Sequence, residues 1–312
     1  MKHWVRFIGQ RLVYMAITLF LITSLTFFLM NALPGTPYNN QAQLSEVQFQ
    51  LLDAKYGLDK PVLERYITYL GNILHGDFGI SLQFSDQPVA TLLGSRIGPS
   101  VQLGLQAVIF GTVVGAILGV FAAMKQNTWV DAFCSVFAIT GRSVPNFVIA
   151  VLGQYLFAIT LNWLPIGLWN DGFRSTILPT LALSISPMAD AARFVRTEMV
   201  EVLSSDYIEL ARAKGMSEIR VALTHGLRNA LIPLITVLGP MTVSLMTGSL
   251  VVENIFAIPG IGEQFTKSIL SNDYSTIMAV TILYSSLLVV VIFITDILYQ
   301  LIDPRMRVGV RS

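Results

Sequence analysis

Charged side chains make up only 12% of this 312-residue chain, so the places where they gather are informative. One gathering is Ser205-Asp206-Tyr207-Ile208-Glu209-Leu210-Ala211-Arg212-Ala213-Lys214-Gly215-Met216. Its chemistry is that of helix ends. Asp206 is a good N-cap and Glu209 falls three residues later. Gly215 can take the left-handed conformation that closes a helix, and Arg212 and Lys214 sit where the dipole's negative end favours cations. The pattern predicts a capped helix over 207–214, with Ser217 and Glu218 opening another. Isolated helices below about 12 residues are marginal in water, so this one must pack on something. The small residues Ala211, Ala213 and Gly215 allow close approach. Two readings stand: an element inserted into another protein's groove, or a solvated helix lying on a membrane face.

Other charges fall in or beside apolar stretches, where ionisable groups are costly and often functional. Arg142 lies about ten residues into one such stretch. It could line a passage and meet a carboxylate, snorkel to the inner interface, or pair with an acid on a partner. For Asp190, Arg193, Arg196, Glu253 and Asp296 the expectation is interface or inter-subunit pairing rather than substrate contact. Ser244, Thr247 and Gly248 interrupt another apolar stretch, either as close-packing positions or as a passage-lining face. The chain lacks G-x-x-x-x-G-K-[ST], H-E-x-x-H and G-x-S-x-G, so it is expected to bind no ATP and to be no enzyme. His3, His75 and His225 are far apart, and Cys134 is the sole cysteine. No metal site, cofactor or internal disulfide is expected. A net charge of +1 gives no bulk signal for nucleic acid.

The elements that hold these residues are membrane spans. Residues 12–45, 97–124, 143–170, 229–252 and 274–295 contain no Asp, Glu, Lys or Arg. A span needs about 20 mostly apolar residues, so each can cross. A sixth, 175–189, reaches spanning length by continuing through Asp190 and Arg193. The expected spans are 9–31, 99–123, 133–160, 176–197, 229–252 and 276–301. The first is too long for a signal peptide and has no cleavage site after it. With the N-terminus inside, thirteen Lys and Arg lie on the inner side against six outside, which fixes the orientation with both termini cytoplasmic. Residues 32–98 form an external helical segment. Within it, Ser45-Glu-Val-Gln48 reads as a capping box, Gly57 as a helix end and Pro61 as a helix start, with Leu63, Tyr66, Ile67 and Leu70 on one side. That segment reads as a cap on the spans, a partner-docking surface, or both. The membrane core is 99–301, including an inner loop at 198–228, and the tail is 302–312. No internal repeat stands out, which weighs against an ion-driven secondary transporter.

Glu209-Leu210-Ala211, three residues, Gly215 resembles the cytoplasmic coupling motif of binding-protein-dependent ABC permeases, Glu-Ala-Ala, three residues, Gly. Downstream, His225-Gly-Leu227-Arg228 departs from the general motif but resembles the peptide and nickel subgroup. So do Ala32-Leu-Pro-Gly-Thr-Pro37, Tyr56-Gly-Leu-Asp-Lys-Pro61, Gly76-Asp-Phe-Gly79, Pro99-Ser-Val-Gln-Leu103, Ser143-Val-Pro145, Glu253-x-x-Phe256-x-x-Pro259-Gly-x-Gly262 and Asp303-Pro-Arg305. The resemblance covers nearly the whole chain. It implies an all-α integral membrane protein of six spans with the type I ABC importer permease fold, in a bacterial inner membrane. It further implies a second permease subunit, two ATPase subunits that carry ATP and Mg, and an external or periplasmic peptide-binding protein. Residues Asp206–Met216 would be the ATPase-coupling helix, and oligopeptides or dipeptides the substrate, with nickel as the alternative. The family's usual residue at position 142 is apolar, so the resemblance assigns Arg142 no role.

Overall fold

A computed structural model of the protein describes residues 2–32, 38 and 45–302. The motifs at 33–37 and 303–305 and the tail through 312 lie outside the described residues. The chain divides into two compact units. One comprises Met1–Gly98 and Gly260–Val289, the other Pro99–Pro259 and Val290–Ser312.

In the first unit, α1 (Lys2–Ala32) is followed by α2 (Glu46–Tyr56) and α3 (Val62–Leu74). The Ser45–Gln48 capping box forms, and Gly57 ends α2 at φ +67°. Pro61 stands one position before α3 rather than in its first turn. The expected single face of α3 is split: Tyr66 and Tyr69 pack on Phe27 of α1 with ring centroids 5.3 Å apart, whereas Leu63 and Ile67 are exposed. A small hairpin, β1 (Ile80–Ser81) with β2 (Gln87–Pro88), pairs Ile80 with Pro88. It leads into α4 (Val89–Met124), which starts ten residues before the expected span because its first turns pack Val89 and Leu93 against Ile261, Ala279 and Val280. These last residues belong to α12 (Ile261–Leu270) and α13 (Tyr274–Ile302).

Asp273 fastens the hairpin to the start of α13. It accepts from Ser81 Oγ at 2.5 Å and Thr276 Oγ1 at 2.7 Å. Burial pushes its carboxyl above the usual range, and the two hydroxyl bonds only partly offset this. A raised folded-state pKa contributes stability that is fully present below the unfolded value and is lost as pH rises through the folded one. Hydrogen-exchange protection factors across 80–88, which divide out the intrinsic pH dependence of exchange, should therefore be higher at acid than at neutral pH. Asp273→Asn should flatten that difference, and an unchanged slope would rule out Asp273 as its source.

In the second unit, α4 continues against α7 (Phe173–Leu203) and α10 (Arg228–Met246). The expected third span, 133–160, is not continuous. It is α5 (Trp129–Ser143) and α6 (Asn146–Gly153), the latter running on as a π-helix to Thr160, with a bend of 100° between them. Pro145 has no N–H to donate and drives Val144 to extended backbone (φ −83°, ψ 124°), so the helix must stop there. The fifth span is also interrupted. α10 ends before Thr247, Gly248 takes φ +92°, and α11 (Leu250–Ile255) restarts with Ser249 as N-cap. Among the described residues, three helices are long and apolar enough to cross a membrane, 6–32, 89–124 and 274–297, and the bent pair 129–143 with 146–160 makes a fourth if it counts as one broken span. The expected fourth span lies within α7, whose 31 residues are long enough but whose second half carries Asp190, Arg193, Arg196, Glu198 and Glu201. The expected count of six is therefore not reached by length and apolarity alone.

Candidate functional site: the α8 element and the α5–α7 groove

The charged gathering at 205–216 folds as α8 (Asp206–Ala213), one residue earlier than expected. Ser205, not Asp206, occupies the N-cap position, with extended backbone. Its hydroxyl donates to Val202 O instead of capping. Asp206 and Glu209 lie in the first turn, where the positive end of the dipole favours them. The C-terminus closes as a Schellman motif. Gly215 N donates to Arg212 O at 2.9 Å and Met216 N to Ala211 O at 3.3 Å, with Gly215 at φ +82°. Arg212 then grips Glu218, the first residue of α9 (Glu218–Val221), with two bonds of 2.9 and 3.1 Å. This fork fixes the angle between the two short helices.

The helix has an inner and an outer side. Ile208 and Ala211 are buried with Val221, and Val202, Leu203 and Met216 pack against them. Ala211 thus faces its own protein and is not free for a partner, contrary to the expectation for the small residues. Ala213 and Gly215 remain exposed, as do Tyr207, Glu209, Leu210 and Lys214. Ile219 within α9 and Leu223 just after it are also exposed apolar residues. Glu209 has no ion pair among the described residues. The element is a two-turn peg anchored on the end of α7, with Leu210 exposed on its outer side and the Tyr207 ring edge-on to His225.

Along α5 and α7 the buried acids find partners within the chain; for Asp190, Arg193 and Arg196 the expectation was interface or inter-subunit pairing. Asp131 is buried and bound by Arg196 through Nε to Oδ1 and through Nη2 to Oδ2 at 2.8 Å; Asn127 N adds a bond of 2.9 Å. Asp190 accepts from Arg142 Nη1, and Arg193 Nη2 lies 3.8 Å away. Glu253 is buried, with Ser100 Oγ donating to it at 2.6 Å. Ser244 is exposed on α10, and Thr247 ends that helix with its hydroxyl on Ser244 O at 3.1 Å. Arg142 bonds to neither Ser244 nor Thr247, so the three passage candidates do not form one hydrogen-bonded cluster.

Sequence reasoning missed a glycine stripe on α4. Gly111, Gly115 and Gly119 face Ser184 O, Met188 O and Ala192 O of α7, all at fourfold spacing. The signal was available as a small-x-x-x-small repeat.

Residues 115–308 match the family described as binding-protein-dependent transport system inner membrane component, and 4–93 match that system's membrane component N-terminal model. The dipeptide transport system permease protein DppB of Lactococcus lactis subsp. cremoris is 48% identical over 97% of this chain and 99% of its own length. DppB of Bacillus subtilis is 42% identical over 97% and 98%. The oligopeptide transport system permease protein OppB of Salmonella typhimurium is 40% identical over 97% and 99%. Among solved structures, the inward-facing MetNI methionine ABC transporter superposes with a TM-score of 0.57 at 18% identity, covering 68% of this chain and 96% of that one. An amino acid ABC transporter gives 0.52 at 16%, covering 68% and 94%. These two likenesses establish the fold, that of ABC importer permeases.

Proposed function

Because this chain belongs to the family of binding-protein-dependent transport system inner membrane components, we propose that it forms half of a passage for dipeptides or oligopeptides, driven by ATP hydrolysed on separate subunits. It is a permease subunit of an ABC importer and not itself an enzyme. The full assembly pairs it with a second permease, two cytoplasmic ATPases that hold ATP and Mg, and an external peptide-binding protein, in a bacterial inner membrane with both termini cytoplasmic. Peptide substrates are favoured over nickel because the relatives that match over the whole chain are named for peptides. Ser244 and Thr247, at the interrupted end of α10, are proposed to line the passage.

The observation that carries the coupling role is the two-sidedness of α8. Ile208 and Ala211 lock it to α7, while Tyr207 and Leu210 present apolar surface outward. A peg of this kind moves with α7 as one body, so a partner that pulls on it tilts a membrane helix. Gly215 is the weak point: at φ +82° a branched side chain costs ~1–2 kcal/mol. In proteoliposomes holding the whole complex, Gly215→Val or Glu209→Ala should leave assembly intact and ATP hydrolysis running while peptide uptake per ATP falls about tenfold, the equivalent of ~1.4 kcal/mol. Unaltered ATP-dependent uptake in both variants would count against the coupling role.

A further inference from the structure

We propose that Arg142 and Arg193, gathered on Asp190 beside the break between α5 and α6, form a subsite for a carboxylate of the transported peptide. This rests on the peptide-transport reading above. The charges do not balance: two guanidinium groups share one carboxylate. Asp190 is the anchor, with only 3% of its side chain exposed, whereas Arg142 is 59% exposed and Arg193 57%. The only hydrogen bond of the Arg142 fork among the described residues is the one from Nη1 to Asp190.

Depth decides what those exposed guanidiniums can face. Arg142 lies thirteen residues after Trp129, the first residue of α5, or ~20 Å along the helix. Even with Asp190 as a partner, a guanidinium this far along an apolar helix is costly against lipid tails, so its exposed part should face water or an anion. The surroundings fit a passage. The bend of 100° falls immediately after Arg142, and broken membrane helices mark binding sites in other transporters. Ser186 Oγ donates to Asn146 Oδ1 at 3.2 Å across the break. Arg193 also borders a cavity of about 160 Å³ between α5 and α7, lined with it by Cys134, Ser135, Ala138 and Arg196. A planar fork with free N–H donors suits a carboxylate better than a neutral group.

Two measurements on the reconstituted complex test this. With the binding protein saturated, uptake is compared for a tripeptide with a free C-terminal carboxylate, its C-terminal amide, and an amide carrying one Glu. Arg142→Gln should slow the free acid about tenfold and the plain amide less than about twofold, as loss of one charged hydrogen bond would. The Glu-bearing amide shows whether the main-chain or a side-chain carboxylate is bound. Equal losses for acid and amide, or no loss, overturn the assignment. Independently, R142C in a Cys134→Ser background should react with water-soluble methanethiosulfonates of either charge, since Arg193 and Asp190 then balance. No reaction, indicating burial against a partner, or reaction only with a lipid-soluble maleimide, overturns it too. A wild type that moves no peptide defeats the functional reading, and the labelling result still decides whether position 142 faces water.

Discussion

Gly115→Leu is expected to remove folded protein from the membrane rather than merely slow it. A Cβ built at Gly115 falls inside contact distance of Met188 O and 2.8 Å from Ala191 Cβ. Four residues either way the situation repeats: at Gly111 a Cβ would lie 2.5 Å from Ser184 O, and at Gly119 2.7 Å from Ala192 O. The obstructing atoms are backbone, so no side-chain rotation relieves the clash. Helices α4 and α7 must separate, which undoes several turns of contact at once. Overpacking in a core costs ~1–3 kcal/mol, and separation of two helix backbones should reach the top of that range or exceed it. Without a hydrophobic driving force between helices in lipid, close backbone packing is the main attraction available. Gly111→Ala should already be damaging, because even one methyl meets a carbonyl. Gly94→Ala is the matched control: it lies on the same helix with nothing within 4 Å, and alanine there should be neutral or mildly stabilising. Steady-state chain in membranes and monodispersity after detergent extraction would separate the two. If Gly115→Leu accumulates and migrates like the wild type, α4 and α7 are not packed this way.

The glycine stripe shows where sequence reading reached and where it stopped. Apolar runs mark α1, α4 and α13 because a span is defined by length and hydrophobicity, both visible in one dimension. Caps are equally local: Ser45, Gln48, Gly57 and Gly215 act within four residues, and each takes the conformation its neighbours imply. The break at Pro145 is local too, but an apolar run hides it, since hydropathy ignores whether a backbone N–H exists. Which side of α8 faces inward is not local. Ala211 is buried because Val221 and the end of α7 lie there, and small size alone could equally mean exposure to a partner. The same holds for the acids of α5 and α7: Arg142 and Asp190 are 48 residues apart and Asp131 and Arg196 are 65 apart, so no window of sequence joins them.

Removing one member of the Asp131–Arg196 pair is the second change expected to have a large effect. Asp131 is buried and holds four donors: two from Arg196, Asn127 N at 2.9 Å and Ser135 Oγ at 3.5 Å. Arg196→Met leaves a buried carboxylate without its cation, a change that costs about 3–5 kcal/mol. Taking away both charges should cost less than taking away either, because a buried ion pair can be replaced by apolar groups at little loss. The double variant Asp131→Ala with Arg196→Met is therefore expected to unfold at a higher temperature than Arg196→Met alone. Exchanging the charges, Asp131→Arg with Arg196→Asp, should restore only part of the loss. Asn127 takes φ +61° to aim its N–H at the Asp131 carboxylate, and an arginine at 131 offers that N–H no acceptor. Thermal unfolding of the purified complex measures all four proteins, and equal midpoints for Arg196→Met and wild type would exclude a buried pair. The pair also bears on transport. Arg196 lies seven residues before Leu203, where α7 ends, and the α8 peg begins shortly after, at Asp206. With α5 no longer clamped to that end of α7, a pull on α8 would bend the end of the helix before it moved the rest. Arg196→Met should thus lose uptake per ATP even at temperatures where the complex remains folded, and the double variant should recover stability ahead of coupling.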